Sequence, residues 1–192
     1  MSPVCERRIC IISGPSGAGK TTIYKRLLAE HDWLAYSVSA TTRPPRPDEV
    51  DGRDYHFVSQ VEFERMLAAD AFAEHALVHG NNYGTLKSEL EEKTCGDRIC
   101  ILDIDIQGAA RLRGLYPGAL KIFIQPPDVK ALECRLLGRS TESEDVRRTR
   151  LANAIRELED ARFFDYCVTN DNFEQAYASV REIIVRHKKE LQ

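Results

Sequence analysis

The sequence predicts an α/β fold: a parallel sheet of five strands with helices packed on both faces. Three observations predict it. Short β-branched runs alternate with stretches of helical apolar spacing along the chain, as expected of a sheet wound by crossover helices. The first such run leads straight into a glycine-rich turn and then into an amphipathic stretch. A length of 192 residues suits one full α/β core and is short for two independent domains.

In order, residues 8–13 form a short apolar run that fits a buried strand, broken by Gly14 to Gly19. Residues 20–30 carry Ile23, Leu27 and Leu28 at helical spacing. Residues 34–39 form a second strand, followed by a polar, proline-rich loop over 41–52. Ser59 with Glu62 three positions on is a capping-box signature and predicts a helix over 60–69. Residues 72–78 alternate as a strand, and 86–93 fit a helix stopped by Gly96.

Residues 98–104 form the next strand, followed by a helix from near Gln107. Residues 120–124 form a strand closed by Pro126 and Pro127, and 129–139 a helix. A polar, acidic segment over 141–145 precedes a long helix to Arg162, a strand over 166–169 and a helix over 173–187. Lys188 and Lys189 then suit the negative end of that helix dipole. Residues 39–84 break the alternation and form an insertion, expected on the sheet's C-terminal edge, where α/β proteins bind ligands.

Composition excludes several classes of function. Hydrophobic residues make up 43% and charged residues 30%, ordinary globular usage. A net charge of −3 gives no bulk attraction to nucleic acid or to an anionic membrane, so neither is an expected partner. The apolar run over 9–12 is too short for a signal-peptide core or a membrane span. The six cysteines form no CxxC pair, which favours reduced thiols and a cytoplasmic location. His75 and His79 have a helical metal-ligand spacing, but they stand in a strand-like segment and fit packing or surface roles.

Gly14, Pro15, Ser16, Gly17, Ala18, Gly19, Lys20 and Thr21 fit G-x-x-x-x-G-K-[ST] between a strand and a helix. Small residues let backbone N–H groups turn inward around phosphate oxygens, at the positive end of the following helix. Lys20 reaches β- and γ-phosphates as a point charge, and the Thr21 hydroxyl suits Mg²⁺. The bland alternative, a glycine-rich turn with a solvated lysine, explains neither the full pattern nor its context.

Arg43 and Arg46 are three apart among Pro44, Pro45 and Pro47. Two stiffened, planar, permanently charged forks suit a phosphate dianion; a solvated basic turn is the alternative. With Ser37 to Pro47, Glu49 to Phe57, Glu74, Gly80 to Thr85, Leu102 to Gly108, Arg135 to Glu144, Phe164 to Tyr166, Asn170 and Asp171, the chain resembles the guanylate kinases, P-loop nucleoside monophosphate kinases, collinearly from about Ile9 to Ile184.

The resemblance implies transfer of the γ-phosphoryl group of ATP to GMP, and to dGMP, with Mg²⁺ as cofactor, in purine nucleotide metabolism. It implies that Arg43, Arg46, Tyr55 and Tyr83 grip the GMP phosphate. Glu74 accepts the guanine N1–H and 2-amino donors, a pairing that would repel the adenine N1 acceptor. Ser39 and Thr85 lie near O6; the family's usual residue at position 85 is Ser, and Thr adds a methyl. Asp103 and Asp105 share contacts to GMP and, for Asp103, to Mg²⁺ through water.

By the same resemblance, Arg139 and Arg150 grip the transferring phosphates from a lid, Arg135 assists at ATP, and Asn170 contacts adenine. Arg147 and Arg148 fit solvated helix positions. The expected organisation is one domain, with core about 1–38, 86–138 and 152–192, a GMP-binding insertion about 39–85 and a lid about 139–151. Two other readings share these motifs: an inactive guanylate-kinase-like module that binds phosphopeptides, and a P-loop kinase of a sugar bisphosphate. The intact Gly19, Lys20 and Thr21 weigh against the first. A carboxylate and two hydroxyls placed to read a base weigh against the second.

Overall fold

A computed structural model of the chain describes residues 4–78, 80–137, 152 and 155–192. The expected sheet is present: five strands in the order β2-β7-β1-β8-β9. These are β1 (Ile9–Ser13), β2 (Leu34–Tyr36), β7 (Ile99–Asp103), β8 (Leu120–Gln125) and β9 (Tyr166–Thr169). The pairs β1/β8, β2/β7 and β8/β9 are parallel. Every residue of β1 is buried, as are five of the six in β8, which is why their sequences are continuous apolar runs.

The helices are α1 (Lys20–Glu30), α2 (Gln60–Ala68), α3 (Lys87–Lys93), α4 (Ile106–Leu115) and α5 (Val129–Leu137), then a long helix over Phe173–Lys189. The predicted cap holds: the Ser59 side chain accepts from the Glu62 backbone N–H at 3.1 Å. The long helix is entered through Asn172, whose side chain accepts from the Gln175 N–H. Arg186, His187, Lys188 and Lys189 occupy its last turn.

The chain divides into two compact units, described separately here. One comprises Met1–Ile9, Trp33–Leu102 and Gln107–Ala119; the other Cys10–Asp32, Asp103–Ile106 and Leu120–Gln192. The first carries a second, four-stranded sheet in the order β4-β3-β6-β5. Its strands are β3 (Ala40–Thr41), β4 (His56–Phe57), β5 (Phe72–Val78) and β6 (Asn81–Leu86). Phe63 of α2 stacks on Phe72 with ring centroids 4.5 Å apart, and Ala40 and Leu86 complete that small core.

Three elements differ from the sequence expectation. Residues 81–86 form strand β6, although Gly80, Asn81 and Asn82 have turn composition. The strand forms because β5 pairs with it antiparallel and because Gly84 leaves room for Phe72, whose ring would lie 2.6 Å from an added Cβ. Strand β2 ends at Tyr36 rather than 39, with the Ser37 N–H still bonded to the Ile101 carbonyl. The helix expected to run to Arg162 gives way after residue 159 to a 3-10 turn over Asp160–Phe163.

All six cysteines are free thiols. No helix among the described residues is long and apolar enough to cross a membrane.

Candidate active site

The phosphate loop lies between β1 and α1. Gly14, Gly17 and Gly19 have φ of 139°, 88° and 90°, conformations that side chains resist. Two of them also sit where a side chain would collide: a Cβ on Gly14 would strike the Ile124 carbonyl of β8, and one on Gly19 the Asn170 amide. The loop closes on itself through Ala18 N–H to the Pro15 carbonyl at 3.1 Å. Lys20 Nζ donates to the Gly14 carbonyl at 2.6 Å, so its ammonium spans the mouth of the loop. Thr21 follows in the first turn of α1, where backbone N–H groups lack helical partners.

Asp103 ends β7 in the field of Lys20. Burial pushes its carboxyl up, and the Lys20 ammonium pulls it back toward the ionised form. Glu157, which no sequence motif marks, belongs to the same surroundings. Burial pushes its carboxyl up to about 7, with Asp105 and Asp160 adding to the shift and Lys20 opposing it. In sequence it was one more helical acid, and nothing local marked it.

Asn170 leaves β9 with its side chain buried. Its amide donates to the Ala18 carbonyl at 2.7 Å, and Arg135 Nη2 donates to its backbone carbonyl at 2.8 Å. Arg139 and Arg150, and the lid expected over 139–151, lie outside the described residues.

The second cluster is built on the four-stranded sheet of the other unit. Glu74 of β5 pairs in register with Thr85 of β6, and both are buried. The Thr85 hydroxyl donates to Glu74 Oε1 at 2.7 Å. Ser39, buried just before β3, accepts from the His56 N–H through its carbonyl.

Arg43 follows β3 and makes many contacts. Its guanidinium lies over Tyr55 at 5.4 Å and over Phe57 at 5.8 Å, and against the cost of burial Glu49 and Tyr83 favour its charged form. Nη2 donates to both Glu49 oxygens, at 2.8 and 2.9 Å, while Nη1 donates to the Pro44 carbonyl. Tyr55 and Tyr83 meet edge-on with centroids 5.9 Å apart. Arg43, Tyr55 and Tyr83 are therefore brought together as expected, and Arg46, more exposed, reaches the same Glu49 at 3.7 Å.

Glu49 is the hub of this cluster, a role its sequence position does not reveal. It also accepts from the Arg46 backbone N–H at 2.8 Å. Burial works against its charge, but that N–H and the Arg43 fork outweigh it and hold the carboxyl below its ordinary value. Its spacing of three from Arg46 was the available signal, that of a turn closed by a side chain.

A strand, a G-x-x-x-x-G-K-T turn and a helix on a five-stranded parallel sheet define a P-loop α/β protein. The family model described as Guanylate kinase matches residues 6–187. The chain is 47% identical over 180 residues to a guanylate kinase of Geobacter sulfurreducens, covering 94% of this chain and 89% of that one. It is 46% identical over 184 residues to one of Neisseria gonorrhoeae, covering 96% and 90%. The crystal structure of a guanylate kinase from Anaplasma phagocytophilum superposes with a TM-score of 0.75 at 31% identity, over 94% of this chain and 85% of that one. This chain belongs to the guanylate kinase family.

Proposed function

We propose that this protein transfers the γ-phosphoryl group of ATP to GMP, and to dGMP, giving ADP and GDP. The observation that carries this reading is the buried Glu74–Thr85 pair, on the same sheet that gathers Arg43, Tyr55 and Tyr83. A buried carboxylate facing a Watson–Crick edge accepts two neighbouring donors, which guanine has and adenine lacks. Two tyrosine hydroxyl donors and an arginine fork beside it suit a monophosphate. Ser39, Thr85 and Asp105 are assigned to the base and ribose, and Arg46 to the phosphate.

ATP is assigned to the loop from Gly14 to Thr21. The GMP phosphate is already an anionic nucleophile, so no side chain need act as a strong base; alignment and charge neutralisation carry the reaction. Lys20 holds the β- and γ-phosphates, and Arg139 and Arg150, with Arg135, neutralise the transferring group from a lid over 139–151 that excludes water. The hydroxyl of Thr21 and, through water, the carboxylate of Asp103 fit Mg²⁺, since both offer the hard oxygen donors it prefers. When bound, Mg²⁺ neutralises phosphate oxygens and orients them for in-line transfer.

The chain acts as one domain, with core about 1–38, 86–138 and 152–192 and the GMP-binding segment about 39–85. Its place is the cytoplasm, with nucleotides and neither nucleic acid nor membrane as partners. Coupled ADP release from ATP tests the activity with GMP, dGMP, AMP or no acceptor. Fast turnover with GMP, slower with dGMP and very little with AMP is expected. No GMP-dependent rate in Mg²⁺ buffer would instead favour the phosphopeptide-binding module.

A further inference from the structure

Asn170 is fixed at three points. Its backbone N–H donates to the Gln125 carbonyl at 2.7 Å, its carbonyl accepts from Arg135 Nη2 at 2.8 Å, and its side-chain amide donates to the Ala18 carbonyl at 2.7 Å. The side chain is buried, and its amide nitrogen lies against Gly19 so closely that any Cβ there would collide with it. A donor so placed is committed to the loop.

The bond has a geometric consequence. A trans peptide is planar, with its C=O and the following N–H pointing in opposite directions. Holding the Ala18 carbonyl on Asn170 therefore turns the Gly19 N–H away from Asn170. Gly19 has φ of 90° and is the N-cap of α1, so orienting this peptide also sets how the chain enters the helix. The first N–H groups of α1, from Lys20 and Thr21, lack helical acceptors and take their direction from that entry.

We propose that Asn170 is a positioning residue for the phosphate loop, acting through the Ala18–Gly19 peptide, and that it supports triphosphate binding irrespective of the base attached. The proposal rests on the assignment of ATP to this loop. The bond to Ala18 uses one of the two Nδ2 hydrogens and leaves the other and Oδ1 for the adenine contact that family resemblance implies, so the positioning role is separate from that contact. Arg135, at the end of α5, is part of the same support through the Asn170 carbonyl.

The test compares binding of ATP, GTP and inorganic tripolyphosphate by calorimetry, with Mg²⁺, in the wild type, Asn170→Ala and Asn170→Asp. Losing a buried donor to Ala18 should weaken all three ligands, tripolyphosphate included, by about tenfold in Asn170→Ala. The loss should be larger in Asn170→Asp, whose carboxylate faces the carbonyl without a proton. GMP affinity should stay unchanged in both.

Weakening confined to ATP would leave Asn170 with an adenine contact alone and overturn the proposal; so would unchanged binding of all three ligands. An equal fall in GMP affinity with a collapsed melting temperature would mark a general structural role and overturn it too. As a measurement on the intact protein, the Asn170 side-chain amide resonances should shift with tripolyphosphate as well as with ATP, and a shift with ATP alone overturns it. Failure of the kinase assignment shows separately, as absent GMP-dependent turnover in a wild type that still binds triphosphate.

Discussion

The Thr85 hydroxyl donates to the Glu74 carboxylate at 2.7 Å from a directly opposed position on the neighbouring strand, with both side chains buried. The bond holds one carboxylate oxygen in place and fixes the Thr85 rotamer. Glu74→Gln keeps the shape but puts an amide donor against the donors of guanine. The ratio of kcat/KM for GMP over AMP should fall by about 10²-fold or more. An unchanged ratio would remove Glu74 from guanine selection.

Glu49 accepts from Arg43 Nη2 through both carboxylate oxygens, with both side chains only 15% exposed. Without that carboxylate the fork loses its orientation and the Arg46 turn loses its cap. In Glu49→Gln the KM for GMP should rise by about tenfold, with the KM for ATP unchanged. A lower KM for GMP would show instead that Glu49 competes with the substrate phosphate for Arg43.

Lys20 bonds loop carbonyls and the Arg43 cluster belongs to the other compact unit, so the two can be separated by mutation. Lys20→Ala should lower kcat by about 10²–10³-fold, while GMP binding by calorimetry stays within about twofold. Loss of GMP binding in this variant would mean that the phosphate loop also shapes the monophosphate site.

Glu157 gives a pH signature. Burial raises its carboxyl to about 7 in the folded protein from an ordinary 4.5, so the fold favours the protonated form. Its contribution to stability is fully present below pH 4.5 and is lost as pH rises through about 7. The neighbouring charges are Lys20, Asp105 and Asp160. Glu157→Gln stays neutral throughout, so its melting temperature should exceed that of the wild type by a margin that widens from pH 5 to pH 8. A margin independent of pH would contradict the raised value.

Much of the sheet and the loop was legible in the sequence because the signals are local. Strands β1 and β8 are buried on both faces and so are continuous apolar runs, while Ser59 and Glu62 mark the start of α2 within four residues. Strand β6 was not legible. Its asparagines and glycines have turn composition, and its strand conformation depends on pairing with β5 and on the space Gly84 leaves for Phe72. Glu157 and the hub role of Glu49 were hidden for a related reason: what distinguishes them is which charges lie nearby, and sequence spacing does not encode that.

The sequence by itself determined the phosphate-loop pattern, the arginine pair among prolines, and the order of strands and helices, since each depends on residue type and short-range spacing. Tertiary structure alone decided that Asn170 of β9's exit spends its amide on Ala18, 152 positions away, and that Glu74 meets Thr85 across two strands. Hydrogen bonds of that kind depend on backbone register and burial, which form only when distant segments pack against one another.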